Sequence, residues 1–156
     1  MKNNKGFTLV ELLAVIVVLA VITVIGVTTV LPYMRDAREK AFRVEATEII
    51  KSAQKAVELA DLGELSVGSD TNSCVKNNTY CFTVSELKQL AVYDSKSDAY
   101  VGKVLVAVDG VNKTYTLYVK KSNEFRIIGS QMEDYTKYGV INNAAWESEY
   151  ESCDCE

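Results

Sequence analysis

The sequence predicts an α+β protein. One long N-terminal helix, apolar in its first half and amphipathic in its second, packs on a small antiparallel β-sheet head. Three observations predict it. Phe7 to Leu31 forms an apolar run whose single charge is Glu11. A stripe of apolar residues at helical spacing follows Pro32, and beyond Gly63 come short alternating segments separated by turn residues. The 156 residues suit one modest folded head behind such a helix.

At about 1.5 Å per residue the apolar run makes a helix roughly 37 Å long, enough to cross a hydrocarbon core of about 30 Å with some tilt. It is too long for the apolar core of an ordinary secretory signal, and Leu31-Pro32-Tyr33-Met34-Arg35 is a poor cleavage site. Lys2 and Lys5 precede it, so the positive-inside rule predicts a cytoplasmic N-terminus and an outside location for everything after Pro32. A plain anchor accounts for length and hydropathy but leaves Glu11 unexplained. A charge inside an apolar span costs about 2.5–3.5 kcal/mol near a helix centre. Ala14, Ala20 and Gly26 are small enough for close helix approach, although no G-x-x-x-G occurs. The hydroxyls of Thr8, Thr23, Thr28 and Thr29 can return to backbone carbonyls.

Beyond Pro32, which can kink the helix or open a new segment, Met34, Ala37, Ala41, Phe42, Ala46, Ile49, Ala53, Val57 and Ala60 form the stripe. Charged residues occupy much of the remaining surface. Gly63 is the natural stop, so the helix spans about Phe7 to Leu62. Gly63 to Asn78 reads as a loop. Tyr80 to Val84 reads as a short strand, and Ser85 as the cap of a helical turn over Glu86 to Leu90. Lys103–Val108 and Thr114–Lys120 make a hairpin through Asp109-Gly110, and Glu124–Ile128 adds a third antiparallel strand. The expected organisation is a short basic leader at 1–6, a transmembrane helix at 7–32, its amphipathic continuation at 33–62 and a head at 63–156.

Lys5-Gly6-Phe7-Thr8-Leu9-Val10-Glu11-Leu12-Leu13 closely resembles the leader junction of type IV pilins and pseudopilins. The resemblance implies a pilin-like fold, cleavage after Gly6 by a membrane prepilin peptidase, and N-methylation of the new terminal residue, Phe7. It covers about the first 30 residues. One departure is visible: many pilins carry a proline two-thirds of the way along the apolar segment, where this chain has Gly26, and its only proline is Pro32.

With Gly6 removed, Phe7 carries an amine about one helical turn from Glu11. Between staggered subunits Glu11 can meet a neighbour's Phe7 amine, and misregister would bury an unpaired charge. The competing reading has Glu11 snorkelling to the cytoplasmic interface. The expected function is a structural subunit of an extracellular type IV pilus-like filament. The alternative is a pseudopilin or minor pilin of a type II secretion or DNA-uptake (competence) system. The implied partners are copies of the chain in a helical filament, the prepilin peptidase and the membrane assembly machinery. The implied route runs from the bacterial cytoplasmic membrane to the cell surface.

An outside location permits disulfides among Cys74, Cys81, Cys153 and Cys155. Cys74 and Cys81 bracket a loop centred on Asn77-Asn78, so Cys74–Cys81 is the favoured pair. Cys153–Cys155 follows by elimination, as a tight ring. The alternative ties the tail back to the Cys74 loop, as pilins often staple their C-terminal region. Neither spacing suits tetrahedral zinc, and the acidic tail from Trp146 to Glu156 lacks the pattern of a calcium loop and reads as solvated, so no metal is expected. Asn77-Asn78-Thr79 and Asn112-Lys113-Thr114 match the glycosylation sequon. No enzyme activity or cofactor is expected: the chain lacks histidine, a nucleophile elbow and a phosphate-binding glycine loop. Leader removal leaves 15 basic against 21 acidic side chains and moves the formal net charge from −4 to −6, which argues against broad nucleic-acid binding.

Overall fold

A computed structural model describes residues 7–65, 74–91, 93, 99–122, 124–131, 139–141 and 146–153. The chain divides into two compact units, residues 1–38 and 39–156. Helix α1, Leu9–Asp61, contributes to both and continues unbroken through Pro32.

In the first unit the apolar side chains from Leu9 to Leu31 stand exposed. This is the one helix among the described residues long and apolar enough to cross a membrane. Its polar groups are satisfied locally, as the sequence predicts for three of its threonines. The Thr23 hydroxyl donates to the Leu19 carbonyl at 2.7 Å, Thr28 to Ile25 at 3.0 Å and Thr29 to Gly26 at 3.0 Å. A hydroxyl that returns to its own backbone lets the helix present an apolar surface.

In the second unit the remainder of α1 packs on a five-stranded antiparallel meander, with strands in sequence order. The strands are β1 (Cys74–Lys76), β2 (Thr79–Thr83), β3 (Tyr100–Asp109), β4 (Asn112–Lys121) and β5 (Phe125–Gln131). Three of these match the predicted meander and β2 matches the predicted short strand. The three-residue β1 lies inside the stretch expected to be loop.

One sheet face is apolar, built from Phe82, Val104, Val106, Leu117, Val119, Phe125 and Ile127. Against it α1 buries Phe42, Ala46, Ile49, Ile50, Ala53, Ala56 and Val57. The Phe42 ring stacks on Tyr100 and Phe125, with centroids 6.1 and 5.8 Å apart. The predicted stripe therefore holds from Phe42 to Val57 but not below it: Met34, Ala37 and Ala41 are exposed, and Ile50 and Ala56 join the core. The reason is that the face covered by the sheet begins at Phe42, and spacing alone does not reveal where cover begins.

Local chemistry sets the boundaries. Gly63 adopts φ +73°, its N–H donates to the Ala60 carbonyl and the Glu64 N–H to that of Leu59, which is a Schellman closure of α1. Helix α2, Val84–Gln89, is capped by Thr83, whose hydroxyl accepts from the Glu86 N–H at 3.3 Å; Ser85, the expected cap, lies inside the helix. Gly102 has φ +143°, and a Cβ there would meet the Tyr118 carbonyl oxygen at 2.0 Å, so β3 and β4 approach only because this residue has no side chain. The Asp61 carboxylate at the end of α1 accepts from Lys113 Nζ at 2.8 Å and from the Tyr80 hydroxyl at 3.2 Å, tying the helix end to β4 and β2.

Candidate functional site

Of the expected processing and assembly residues, Phe7 and Glu11 lie at the start of α1. Gly6 lies outside the described residues, and Phe7 is 89% exposed. Thr8 and Glu11 form a reciprocal pair. The Thr8 N–H and hydroxyl each donate to Glu11 Oε2 at 2.8 Å, and the Glu11 N–H donates to Thr8 Oγ1 at 3.4 Å. This is a capping box, with Thr8 as cap and Glu11 three residues on. It satisfies N–H groups that the first turn cannot pair internally, and it sets a carboxylate at the positive end of the helix dipole. A carboxylate accepts at about four lone-pair positions, so the two Thr8 bonds leave capacity for an amine. The Thr8-x-x-Glu11 spacing was legible in the sequence as a capping signature, but the apolar run around it drew attention to the charge alone.

A second arrangement covers the other face of the sheet. Lys103 and Leu105 of β3 and Tyr118 and Lys120 of β4 alternate with the buried residues and so point away from the core. Onto them folds the tail. Tyr150 stacks on Tyr118 at 5.1 Å, Lys103 Nζ donates to the Glu149 carbonyl at 2.7 Å, and Lys120 pairs with Glu151. Trp146 Nε1 donates to the same Glu151 carboxylate at 3.1 Å, and Lys120 Nζ lies 5.1 Å from the indole centroid. The hydrogen bond from Lys120 holds the Glu151 carboxyl below its usual range. The described tail is therefore docked rather than freely solvated, with one of its carboxylates, Glu151, paired to a lysine of the sheet beneath it.

The disulfides correct the favoured pairing. Cys81 is bonded to Cys153, 72 residues away, with a Cα–Cα distance of 5.8 Å. Cys74–Cys81 does not form, although the two are direct antiparallel partners in β1 and β2, and Cys153–Cys155 is excluded with it. Cys74 is also disulfide-bonded, and Cys155 lies outside the described residues. The physical reason is the docked tail: Tyr150 and Glu149 bring Cys153 onto the sheet face that carries Cys81, a contact invisible in local spacing. Between tail and sheet lies a cavity of about 480 Å³, with Lys103, Tyr118, Tyr150 and Cys153 among its walls. A second, of about 270 Å³, is lined by Cys74, Cys81, Lys103 and four other residues.

Residues 1–27 match the family described as the prokaryotic N-terminal methylation motif, which is the leader signature of type IV pilins. No curated protein and no solved structure matches the chain. The motif, the apolar helix behind it and the helix-on-sheet head together support a type IV pilin or pseudopilin-like subunit. The leader implies processing by a prepilin peptidase and handling by assembly machinery. It fits membrane anchoring followed by surface assembly.

Proposed function

We propose that this chain is a structural subunit of an extracellular type IV pilus-like filament, released for assembly by cleavage after Gly6 and methylated at Phe7. It is not an enzyme on this reading, needs no cofactor and has no nucleic-acid partner. One observation carries the proposal: the apolar side chains from Leu9 to Leu31 are exposed along α1, directly behind a methylation motif. Such a surface needs lipid before assembly and copies of itself afterwards. Lys2 and Lys5 favour a cytoplasmic N-terminus before assembly, which leaves the disulfide-bearing unit outside.

Glu11 supplies the register. Capped by Thr8, its carboxylate is held at the helix start. A neighbouring subunit's Phe7 amine, set at the correct stagger, neutralises it, and any other stagger leaves a charge unpaired among apolar helices. This favours a polymerising subunit over one that starts the tip, where no neighbour lies above. Electron microscopy of sheared surface material, labelled with an antibody to the head, tests the proposal. Long labelled fibres, lost on deletion of the gene and on Glu11→Ala, are expected. Processed protein that stays in the membrane without labelled fibres would instead assign the chain to pseudopilins or minor pilins.

A further inference from the structure

The cysteine that bonds the tail has a nearer partner. Cys74 and Cys81 face each other as direct Cα partners across β1 and β2. The connection between these strands is Asn77-Asn78, with φ of 50° and 59°, the two-residue left-handed turn that sets up a hairpin locally. Directly opposed residues of an antiparallel pair lie about 4.5–5.5 Å apart at Cα, inside the range that a disulfide spans. Yet the finished fold joins Cys81 to Cys153.

Loop closure favours the local pair first. Its entropic cost scales as the three-halves power of loop length, and the separations are 7 residues for Cys74–Cys81 and 72 for Cys81–Cys153. From those lengths the reduced chain closes the short loop roughly 30-fold more readily. The tail contacts that favour Cys153 exist only once β3 and β4 are in place, because Tyr118, Lys103 and Lys120 all sit on those strands.

We propose that the head matures through a transient Cys74–Cys81 disulfide, which Cys153 resolves by thiol–disulfide exchange once the tail docks on β3 and β4. The first bond requires a disulfide-bearing oxidant: two thiols lose two protons and two electrons, and the oxidant's disulfide becomes a dithiol. In the exchange the Cys153 thiolate attacks Cys81 Sγ. The Cys81–Cys153 bond forms, the Cys74–Cys81 bond breaks, and Cys74 leaves as a thiolate that takes up a proton. No net electrons move in this step. Cys74 enters its own final disulfide in a second oxidation by the same class of oxidant. Lys103 lines both cavities, one with Cys153 in its wall and one with Cys74 and Cys81, and its ammonium holds the Glu149 carbonyl four residues before Cys153. Tyr150 and Lys103 act as positioning residues for the exchange. The inference rests on register and loop length and is independent of whether the chain builds a filament.

The test follows full-length protein, reduced and unfolded in denaturant, after dilution into detergent micelles and a glutathione redox buffer. Samples are quenched by alkylation at intervals and mapped as peptides. A Cys74–Cys81 species is expected first, exceeding Cys81–Cys153 by roughly 30-fold at the earliest times and decaying as the latter rises. Tyr150→Ala should leave the first step unchanged and slow the second. Appearance of Cys81–Cys153 with no earlier Cys74–Cys81 overturns the proposal on wild-type protein alone. Equal slowing of both steps by Tyr150→Ala would overturn the positioning role.

Discussion

Replacing Phe42 by alanine tests whether the upper part of α1 belongs to the head core. The ring is fully buried and stacks on Tyr100 and Phe125. Truncating such a phenylalanine costs 3–5 kcal/mol, so a loss of about 4 kcal/mol is expected. Unfolding a unit of this size carries an entropy of about 250 cal/mol/K, which converts the loss to a fall in Tm of roughly 16 °C. Met34→Ala is the control. Met34 belongs to the same sequence stripe but is 48% exposed, and a surface change of this kind stays within about 0.5 kcal/mol. The assay is near-ultraviolet circular dichroism of both full-length variants in detergent, heated in parallel. A Phe42→Ala shift below about 4 °C, or a Met34→Ala shift of equal size, would refute the assignment of the core to the face that begins at Phe42.

Thr8→Val removes the hydroxyl of the capping box and should cost about 1 kcal/mol at the helix start, with Thr8→Ser restoring it. Hydrogen exchange of the first-turn amides reads this directly. Hydrogen bonding to Lys113 holds the Asp61 carboxyl below its usual range. Its folded value lies below its unfolded value, so its contribution is fully present above about pH 4 and is lost as pH falls through the depressed folded value. The Tm difference between wild type and Asp61→Asn should therefore be constant from neutral pH to about 5 and should shrink below 4. Non-reducing peptide mapping of mature protein should yield one linked species containing Cys81 and Cys153, and none joining Cys74 to Cys81.

The fold was legible where a local pattern carries its own cause. The glycine stop at Gly63, the alternation along β3 and β4 and the unbroken apolar run each follow from short-range chemistry. What stayed hidden depends on residues far apart in sequence. β1 is three residues long and becomes a strand only because β2 pairs with it. The lower edge of the core stripe depends on where the sheet ends. The disulfide pairing depends on a tail that docks through Tyr150 and Glu149, and spacing pointed to the nearer cysteine. At the start of α1, Glu11 reads as a lone charge in an apolar run, while the Thr8-x-x-Glu11 spacing carries the capping signature that the bonds of the first turn display.

The central claim is that this chain is a processed, methylated assembly subunit, and the mass of its mature N-terminal peptide tests that most directly. A peptide beginning at Phe7 and heavier by one methyl group is expected in membrane and sheared surface fractions, with Gly6→Leu blocking its formation. An N-terminus still carrying residues 1–6, or one generated beyond Leu31, would contradict it.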